Sequence, residues 1–324
     1  MTPAPDHASD HPSDHASGHA SGKVPPPPST PPGPGESWTV LRLILWSAAW
    51  LREKGVEQGR LDAEHLLAHT LSTGRLQLYL QHDRPLSPGE LARFKPLLRR
   101  RAGREPLQYI LGRTSFRRLD LGTDGRVLVP RPETEVLVDV ALDWARAAAG
   151  AERTLSAVDV GTGSGCIALS LALEGPFRRV LATDLSEGAL ELAAENRTRS
   201  GTEAWVELRQ GALFEPLGGE RFDLVVSNPP YVAERERGAL DPEVRDFEPP
   251  LALFAGEEGL DVIRPLVAGA PAHLHPGGVL ALEVGLGQAP AVAALVEATG
   301  AFREVVVRKD LTGRPRIVLG RGRL

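Results

Sequence analysis

Hydrophobic and polar positions repeat with helical spacing between residue 37 and about residue 112. Apolar residues follow this period in WTVLRLILWSAAWLREKG, where Ser37 is predicted to cap a helix and Gly55 to end it. A second helix is predicted over RLDAEHLLAHTLS, ended by a glycine. The run Ser87-Pro88-Gly89-Glu90 starts a third, because it joins a capping side chain, a first-turn proline and an acid at the third position. The segment is therefore predicted to form a small helical domain.

From residue 155 onward the pattern changes to alternating strands and helices. Strands are predicted at LSAVDVG, RVLATDL, AWVELRQGAL, FDLVVSNPP and GGVLALEVG, with helices at Cys166–Leu173, Glu187–Arg199 and Leu260–Leu274. The strands FREVVVRKDL and RPRIVLGRG close the chain as a hairpin. This order predicts a doubly wound α/β fold with seven strands, the last hairpin antiparallel. Residues 113–135 are predicted to be an extended connector, followed by the helix TEVLVDVALDWARAAAG.

Residues 1–36 differ from the rest in composition, since ten of the 28 prolines lie there. Histidines are spaced four apart at His7, His11, His15 and His19. Such a tract can bind metal, but Pro, Ser and Gly cannot build a core, so we favour a disordered low-complexity tail.

Charge and cysteine content exclude several classes of protein. The net charge is −5, most of it in the tail, so the body does not attract a nucleic-acid backbone by bulk charge. The single cysteine, Cys166, excludes a disulfide framework and a Cys-based zinc site, and we expect it to be a small buried residue. No apolar run is long enough to span a membrane, and the start is not a secretory signal, so we expect a cytoplasmic protein.

An arginine cluster ends the third predicted helix, at Arg99-Arg100-Arg101 with Arg104. One hypothesis is a contact with RNA or an acidic partner. The other, which we favour, is a solvated helix end, because cations are stabilising at helix C-termini.

A glycine loop follows the first strand of the α/β part, at Gly161, Gly163 and Gly165. Glycines allow a sharp turn and close approach of the backbone to a ligand, and the G-x-G-x-G spacing is neither a P-loop nor a G-x-G-x-x-G loop. Asp184 ends the next strand, where a carboxylate can accept both hydroxyls of a ribose. Together they indicate an adenosine-bearing cofactor. S-adenosylmethionine fits this pattern, because acids and carbonyls near Asp159 can meet its ammonium group. The alternative is that the loop is an ordinary strand–helix turn.

The fourth strand of the α/β part ends in Asn228-Pro229-Pro230-Tyr231. The prolines end the strand and stiffen the loop, and the Asn228 side chain and a proline carbonyl offer two fixed acceptors. Two acceptors suit a planar NH2 group, and Tyr231 can stack on a flat substrate. Holding both hydrogens aims the weakly nucleophilic lone pair at a methyl group, which is catalysis by positioning and electrostatics. The alternative is a strand that merely ends in a rigid turn.

These motifs resemble the PrmC/HemK family, the N5-glutamine methyltransferases of peptide chain release factors. The resemblance covers about residues 40–320, through GREPLQYILG, LVPRPETEVLVD, DVGTGSGCIALSLA, GALFEPL, FDLVVSNPPYV, DFEPPLALFAGEEGLD, LEVGLGQ and KDLTGRPR. It implies a Rossmann-like methyltransferase sheet that uses S-adenosylmethionine. Residues 136–324 are then the catalytic domain, and residues 37–112 a docking domain for a protein substrate.

Matching the motifs position by position implies a role for individual residues and requires no metal. The implied cofactor contacts are Gly161, Thr162, Gly163, Ser164, Gly165, Asp184, Leu213 and Asn228. The substrate amide is implied to be held by Asn228, Pro229, Pro230 and Tyr231, with Asn228, Pro229 and Tyr231 as catalytic residues. The implied pocket wall consists of Phe116, Arg131, Glu133 and Thr134.

The implied substrate is the glutamine of the Gly-Gly-Gln loop of bacterial class 1 release factors. We expect a monomer without direct nucleic-acid or membrane contact. One alternative is an adenine-N6 nucleic-acid methyltransferase, which uses the same Asn-Pro-Pro-Tyr motif on a flipped base. The near-neutral body and the lack of a large target-recognition insertion oppose it. Another is a non-enzymatic binding module, opposed by the intact glycine loop, Asp184 and the Asn-Pro-Pro-Tyr motif.

Overall fold

The computed structural model describes residues 37–149 and 155–323. Both interpretations of the segment 1–36, a disordered tail or a metal-binding tract, lie outside the described residues. No helix within the described ranges is long and apolar enough to cross a membrane.

The N-terminal part of the described chain is helical, as its hydrophobic period predicts. Its helices are α1 (Val40–Glu53), α2 (Gly59–Thr70), α3 (Arg75–Leu80), α4 (Pro88–Ala102) and α5 (Leu107–Leu111). They enclose a separate hydrophobic core around Leu51, Leu66 and Phe94. Ser87 caps α4 in a complete capping box: its hydroxyl accepts from the Glu90 amide at 3.3 Å, and the Glu90 carboxylate accepts from the Ser87 amide at 2.8 Å.

The predicted cap of α1 at Ser37 is wrong, because Thr39 caps this helix. The Thr39 hydroxyl accepts a hydrogen bond from the Arg42 amide at 3.3 Å. The preceding residues are extended: Thr39 forms a β-bridge with Pro85, and the Trp38 carbonyl accepts from the Leu86 amide at 2.8 Å. Since extended backbone cannot continue a helix, α1 begins only at Val40.

The predicted connector contains a hairpin and the start of a helix. Strands β1 (Arg113–Phe116) and β2 (Leu119–Gly122) pair antiparallel, and α6 (Pro132–Ala148) begins with a proline in its first turn. The extended character of this segment is thus local, and α6 leads directly toward the main sheet.

The α/β part is a seven-stranded sheet, which confirms the predicted strand number and the antiparallel end. Its strands are β3 (Leu155–Val160), β4 (Phe177–Asp184), β5 (Val206–Gln210), β6 (Phe222–Ser227), β7 (Leu274–Glu283), β8 (Phe302–Lys309) and β9 (Pro315–Gly322). Their order is β5-β4-β3-β6-β7-β9-β8; the first five run parallel, and β9 pairs antiparallel with β7 and β8.

Helices cover both faces of this sheet. They are α6, α7 (Cys166–Glu174), α8 (Glu187–Ser200), α10 (Ile263–Gly269) and α11 (Ala289–Ala298), whereas the short helix α9 (Pro242–Phe247) has no buried residue. Every residue of β3 and β6 is buried, and successive side chains enter one core with α6 and α7 or another with α10 and α11. Helix α11 was not predicted. The helix predicted over Leu260–Leu274 is shorter because Pro271, which lacks an N–H, falls in a 3₁₀ turn after α10.

Candidate active site

A cavity of about 320 Å³ opens at the edge where parallel strands β3, β4 and β6 end. Strand order reverses between β3 and β6, the position where α/β sheets bind ligands. Most of the site residues expected from sequence line the cavity: Gly161, Thr162, Gly163, Ser164, Asp184, Leu213, Asn228, Pro229 and Pro230. Gly165 and Tyr231, both within the described ranges, are not in the lining.

The glycine loop leaves space for a ligand at two of its three glycines. Gly161 and Gly163 have φ of 74° and 56°, and a Cβ built on either would meet nothing within 4 Å. Gly165, with φ of 84°, instead packs inward, because its Cβ would lie 3.2 Å from Leu169. All three need the left-handed region, but only Gly161 and Gly163 present bare backbone to the cavity.

Asp184 connects the glycine loop to the turn after β4. Its Oδ2 accepts from the Gly163 amide at 2.8 Å, and its Oδ1 accepts from the Ser186 amide at 2.9 Å. Burial raises the pKa of this carboxyl, and the backbone hydrogen bonds partly offset the rise. Each carboxylate oxygen can accept a further hydrogen bond, so Asp184 can bind ribose hydroxyls while it holds the loop.

Asp159, at the end of β3, carries a buried acceptor without a partner. Its Oδ2 accepts from the Thr162 hydroxyl at 2.6 Å and from the Ala168 amide at 3.2 Å. Its Oδ1 has no hydrogen-bond partner among the described residues. Burial raises the pKa of Asp159 to about 7. Asp159 itself does not line the cavity, so the open space at Gly161 and Gly163 and the Asp184 carboxylate are the features that fit the ribose of S-adenosylmethionine.

Two further residues near the loop differ in what they offer a ligand. Leu213, after β5, lines the cavity. Its φ of 48° is a left-handed conformation that is unfavourable for leucine. Burial raises the pKa of the Cys166 thiol to about 12, so this thiol stays protonated and is a poor nucleophile.

Asn228 lies at the end of β6 and is held by a side chain from α6. Its Nδ2 donates to the Thr134 hydroxyl at 3.0 Å, and that hydroxyl donates to Glu283 Oε2 at 2.7 Å. Asn228, Pro229 and Thr134 all line the cavity, whereas Glu283 is fully buried at the end of β7. The protein therefore fixes the Nδ2 side of the Asn228 amide.

Tyr231 faces away from the cavity toward buried charges. Its hydroxyl donates to Glu283 Oε1 at 3.4 Å and accepts from the Arg316 guanidinium at 3.1 Å, which also lies 5.3 Å from the ring centroid. The Tyr231 carbonyl accepts from Gln288 Nε2 at 3.0 Å. Burial raises the pKa of its phenol. These contacts fix the end of the Asn-Pro-Pro-Tyr loop.

Comparison with known proteins agrees with this geometry. Residues 42–112 match the family model of the PrmC N-terminal domain, and residues 146–241 match the methyltransferase small domain. The release factor glutamine methyltransferase of Geobacter sulfurreducens is 46% identical over 286 residues, covering 88% of this chain and 98% of that protein. The protein of the same name from Cereibacter sphaeroides is also 46% identical, over 84% of this chain and 94% of its own. This chain belongs to the release factor glutamine methyltransferase family.

Membership of the release factor glutamine methyltransferase family makes the chain an S-adenosylmethionine-dependent methyltransferase and confirms the resemblance seen in its motifs. It supports the glutamine enzyme and not the adenine-N6 alternative. A solved structure, the hMettl16 catalytic domain in complex with MAT2A 3'UTR hairpin 6, is 14% identical and covers 66% of this chain and 80% of that one, with a TM-score of 0.52. That likeness concerns the fold alone.

Four residues of the site in this family member were not singled out from sequence: Glu248, Glu283, Gln288 and Arg316. Glu248 is 3% exposed and accepts two hydrogen bonds from the cavity residue Arg131, at 2.8 and 2.7 Å. Burial raises the pKa of Glu248, and Arg131 partly offsets this. The signal that could have found Glu283 is an acid inside the apolar run VLALEVG, since a charge in a buried strand needs partners.

Two residues of the predicted pocket wall do not line the cavity. Phe116 is 1% exposed and belongs to the core between the sheet and α6 and α7. Glu133, next to the lining residue Thr134, is also absent from the cavity lining in the described structure.

Two arginines of the cluster at the end of α4 bind acids of other elements within the protein. Arg101 donates to Asp62 at 2.7 Å and to Glu243 of α9 at 2.9 Å. Arg104 also binds the Glu243 carboxylate, through two of its nitrogens. These two arginines thus join the helical domain to the segment that follows the Asn-Pro-Pro-Tyr loop, a role that neither interpretation of the cluster anticipated.

Proposed function

We propose that this enzyme transfers a methyl group to the side-chain nitrogen N5 of the glutamine in the Gly-Gly-Gln motif of bacterial class 1 release factors, and thereby modulates translation termination. The observation that carries the proposal is the Asn228 amide. Its Nδ2 donates to Thr134, so its Oδ1 is left as an acceptor in the cavity that the glycine loop and Asp184 also line. A substrate NH2 group and a methyl donor can therefore meet there.

The proposed cofactor contacts are Gly161, Thr162, Gly163, Ser164, Asp184, Leu213 and Asn228, with Gly165 as a supporting residue. When bound, S-adenosylmethionine supplies a methyl group on a positively charged sulfur. Gly161 and Gly163 allow close backbone approach, and Asp184 accepts the ribose hydroxyls. Asp159 lies behind the loop, where it binds the Thr162 hydroxyl and holds the loop in place. Gly165 acts indirectly, by letting the loop turn into α7.

The proposed amide clamp consists of the Asn228 side chain and the Pro229 carbonyl. An amide nitrogen is a weak nucleophile because its lone pair is delocalised into the carbonyl group. Asn228 Oδ1 and the Pro229 carbonyl accept one substrate N–H each; no donor among the described residues occupies that carbonyl. Holding both hydrogens fixes the nitrogen while its bond to the methyl carbon forms and the carbon–sulfur bond breaks, and it stabilises the positive charge that develops on the nitrogen. One of the two protons then passes to water, so no strong base is required. Pro230 stiffens the loop, and Tyr231 anchors its end.

The proposed docking surface for the release factor lies on the helical domain. Helix α3 exposes Leu76, Tyr79 and Leu80, with 71%, 43% and 67% of their surface accessible. Their spacing places them on one side of the helix, where a protein partner can bury them. We further propose that the enzyme acts as a cytoplasmic monomer and makes no direct contact with nucleic acid.

Labelling with radioactive methyl donor tests the substrate. The purified enzyme should label a release factor, and a release factor whose Gly-Gly-Gln glutamine is changed to alanine should accept no label. Equal labelling of both factors contradicts the site of modification. Parallel reactions with tRNA, rRNA and DNA provide the control, and label in a base without label in the release factor overturns the proposal.

Asn228→Ala tests the mechanism. Loss of one amide acceptor should lower kcat by roughly a hundredfold or more, as for the loss of an oriented polar group at a reacting centre. Affinity for S-adenosylmethionine, measured by calorimetry, should stay within a few fold. Normal turnover by this variant contradicts the clamp.

A further inference from the structure

A continuous row of hydrogen bonds runs from the sheet to the proposed amide clamp. It starts at the Glu283 carboxylate at the end of β7, passes through the Thr134 hydroxyl in the first turn of α6, and ends at the Asn228 amide after β6. The two distances are 2.7 and 3.0 Å. Glu283 is 0% exposed and Thr134 is 2% exposed, so the bond between them is shielded from bulk water.

The donors and acceptors in this row fix one another. An ionised carboxylate only accepts, so the single Thr134 hydroxyl hydrogen points to Glu283 Oε2. The Thr134 oxygen can then only accept on its other side, and the Asn228 side chain must present its NH2 group to it. Asn228 Oδ1 is therefore the atom left for a ligand. Reversing the first bond would turn the Asn228 amide over and leave NH2 in that place.

The other groups around Glu283 favour the direction seen. The Tyr231 hydroxyl donates to Oε1, and the Arg316 guanidinium lies 3.7 Å from the same oxygen. Burial raises the pKa of Glu283, as does the negative charge of Glu133, whereas Thr134, Arg316 and Tyr231 lower it. Because Oε1 lies next to these donors, Oε2 is the Glu283 oxygen that faces Thr134, and Oε2 accepts the hydrogen bond from the Thr134 hydroxyl.

We propose that Glu283 and Thr134 are positioning residues: together they orient the Asn228 amide so that its oxygen faces the substrate NH2 group. The inference rests on the proposed function, because it concerns the acceptor that holds the glutamine amide. A buried acid and a threonine thus control which end of the Asn228 amide the substrate meets. Neither residue needs to touch the substrate.

Glu283→Gln provides the sharpest test, since it keeps shape but adds a donor. Tyr231 donates to the Oε1 position and the Arg316 guanidinium lies 3.7 Å from it, so the new amide should turn its oxygen toward them and its NH2 toward Thr134. Thr134 would then donate to Asn228 Oδ1, and the substrate would lose its acceptor. We expect kcat to fall roughly tenfold or more, with KM and the affinity for S-adenosylmethionine within about threefold.

Variants of Thr134 supply the matched controls. Thr134→Val, which removes the hydroxyl but keeps the shape, should lower kcat by a similar factor, and Thr134→Ser should restore it to within a few fold of wild type. In Thr134→Val the added change Glu283→Gln should have little further effect, because the link to Asn228 is already gone. Additive losses, or a Ser variant as weak as the Val variant, would contradict the proposal.

An NMR measurement separates this inference from the proposed substrate. The Asn228 side-chain NH2 signal, assigned by its loss in Asn228→Asp, should show slow hydrogen exchange in wild type and Thr134→Ser. Exchange should be faster in Thr134→Val and Glu283→Gln while thermal unfolding stays cooperative. Unchanged exchange in both variants overturns the inference even if release factor is methylated. Changed exchange without methylation of the release factor instead contradicts the proposed function alone.

Discussion

Gly163 combines two features whose consequences can be separated by experiment: a left-handed backbone and a place in the cavity wall. Gly201, which ends α8, has a similar φ of 68° against 56° for Gly163, and a Cβ at either position meets nothing within 4 Å. Changing either to alanine should lower the free energy of unfolding by roughly 1 kcal/mol, because L-residues disfavour this region.

Only Gly163→Ala should also weaken binding of S-adenosylmethionine, by roughly tenfold or more, because its methyl group would enter the cavity. Isothermal titration calorimetry on both variants checks this, with Gly201→Ala as the control for backbone strain. Equal affinities would place the cofactor away from the glycine loop.

Asp159 predicts a dependence of stability on pH. Its pKa is raised by burial to about 7, above the value of about 3.9 in an unfolded chain, so the folded state holds a proton that the unfolded state releases. This contribution to stability is complete at low pH and is lost as the pH rises toward 7, with a slope of up to about 1.4 kcal/mol per pH unit.

Chemical denaturation of the ligand-free protein between about pH 5 and pH 7 measures this slope. Asp159→Asn removes the titrating group and should reduce the fall in stability by that contribution. Other buried acids titrate in both proteins, so the difference between them isolates Asp159. Identical slopes would show that Asp159 ionises at its ordinary pKa.

The site residues that could be predicted from the sequence lie close together along the chain. The glycines and the Asn-Pro-Pro-Tyr run each form one local motif, and Asp184 follows at a fixed distance after a strand. Glu283 and Arg316 lie far from Asn228 in sequence, and only the pairing of β7 with β6 and β9 brings them near. Their contribution depends on strand register, which the hydrophobic pattern does not specify to one residue.

At the scale of elements, the short helix α9 depends on ion pairs with the helical domain. Glu243 binds Arg101 and Arg104, and its side chain is only 18% exposed. Glu243→Gln should lower the free energy of unfolding by roughly 2 kcal/mol, because two partly buried arginines lose their counter-charge. Denaturant unfolding measures this change.

Asp246, on the same helix, is the matched control. Within the described chain its carboxylate binds the neighbouring, exposed Arg245, so Asp246→Asn should leave stability unchanged. Equal effects from both substitutions would mean that α9 is held by something other than the arginines of α4.

The elements themselves were predictable where the pattern was strong. The capping box of α4 and the buried strands β3 and β6 have unambiguous signals, and the structure contains them. The pattern does not indicate helix α11, because Glu297 is the only polar residue of APAVAALVEA, which therefore lacks the polar face of a surface helix. Its helical form is set by packing against the final hairpin and α10.

At the scale of the whole molecule, the exposed face of α3 tests whether the helical domain recruits the release factor. Replacing Leu76 and Leu80 by serine should raise KM for an intact release factor by roughly tenfold, because two exposed apolar anchors are lost. Kinetics with a short Gly-Gly-Gln peptide should not change, since such a peptide reaches only the cavity.

Leu311→Ser controls for the loss of an exposed leucine, because Leu311 is 88% exposed but lies in the catalytic part. This variant should alter neither the KM for the intact release factor nor the KM for the short peptide. If the α3 variant changes peptide and intact factor alike, the helical domain acts on the fold of the site and not on docking.

The proposed reaction at the cavity beside Asn228 is methylation of one glutamine amide of a release factor. Mass spectrometry of the Gly-Gly-Gln peptide, after reaction of purified release factor with this enzyme and S-adenosylmethionine, detects the product itself. Wild-type enzyme should add a single methyl group to the glutamine side-chain nitrogen, and Asn228→Ala should add almost none. An unmodified glutamine after reaction with active, cofactor-binding enzyme, or a methyl group on another residue, would contradict the proposed reaction.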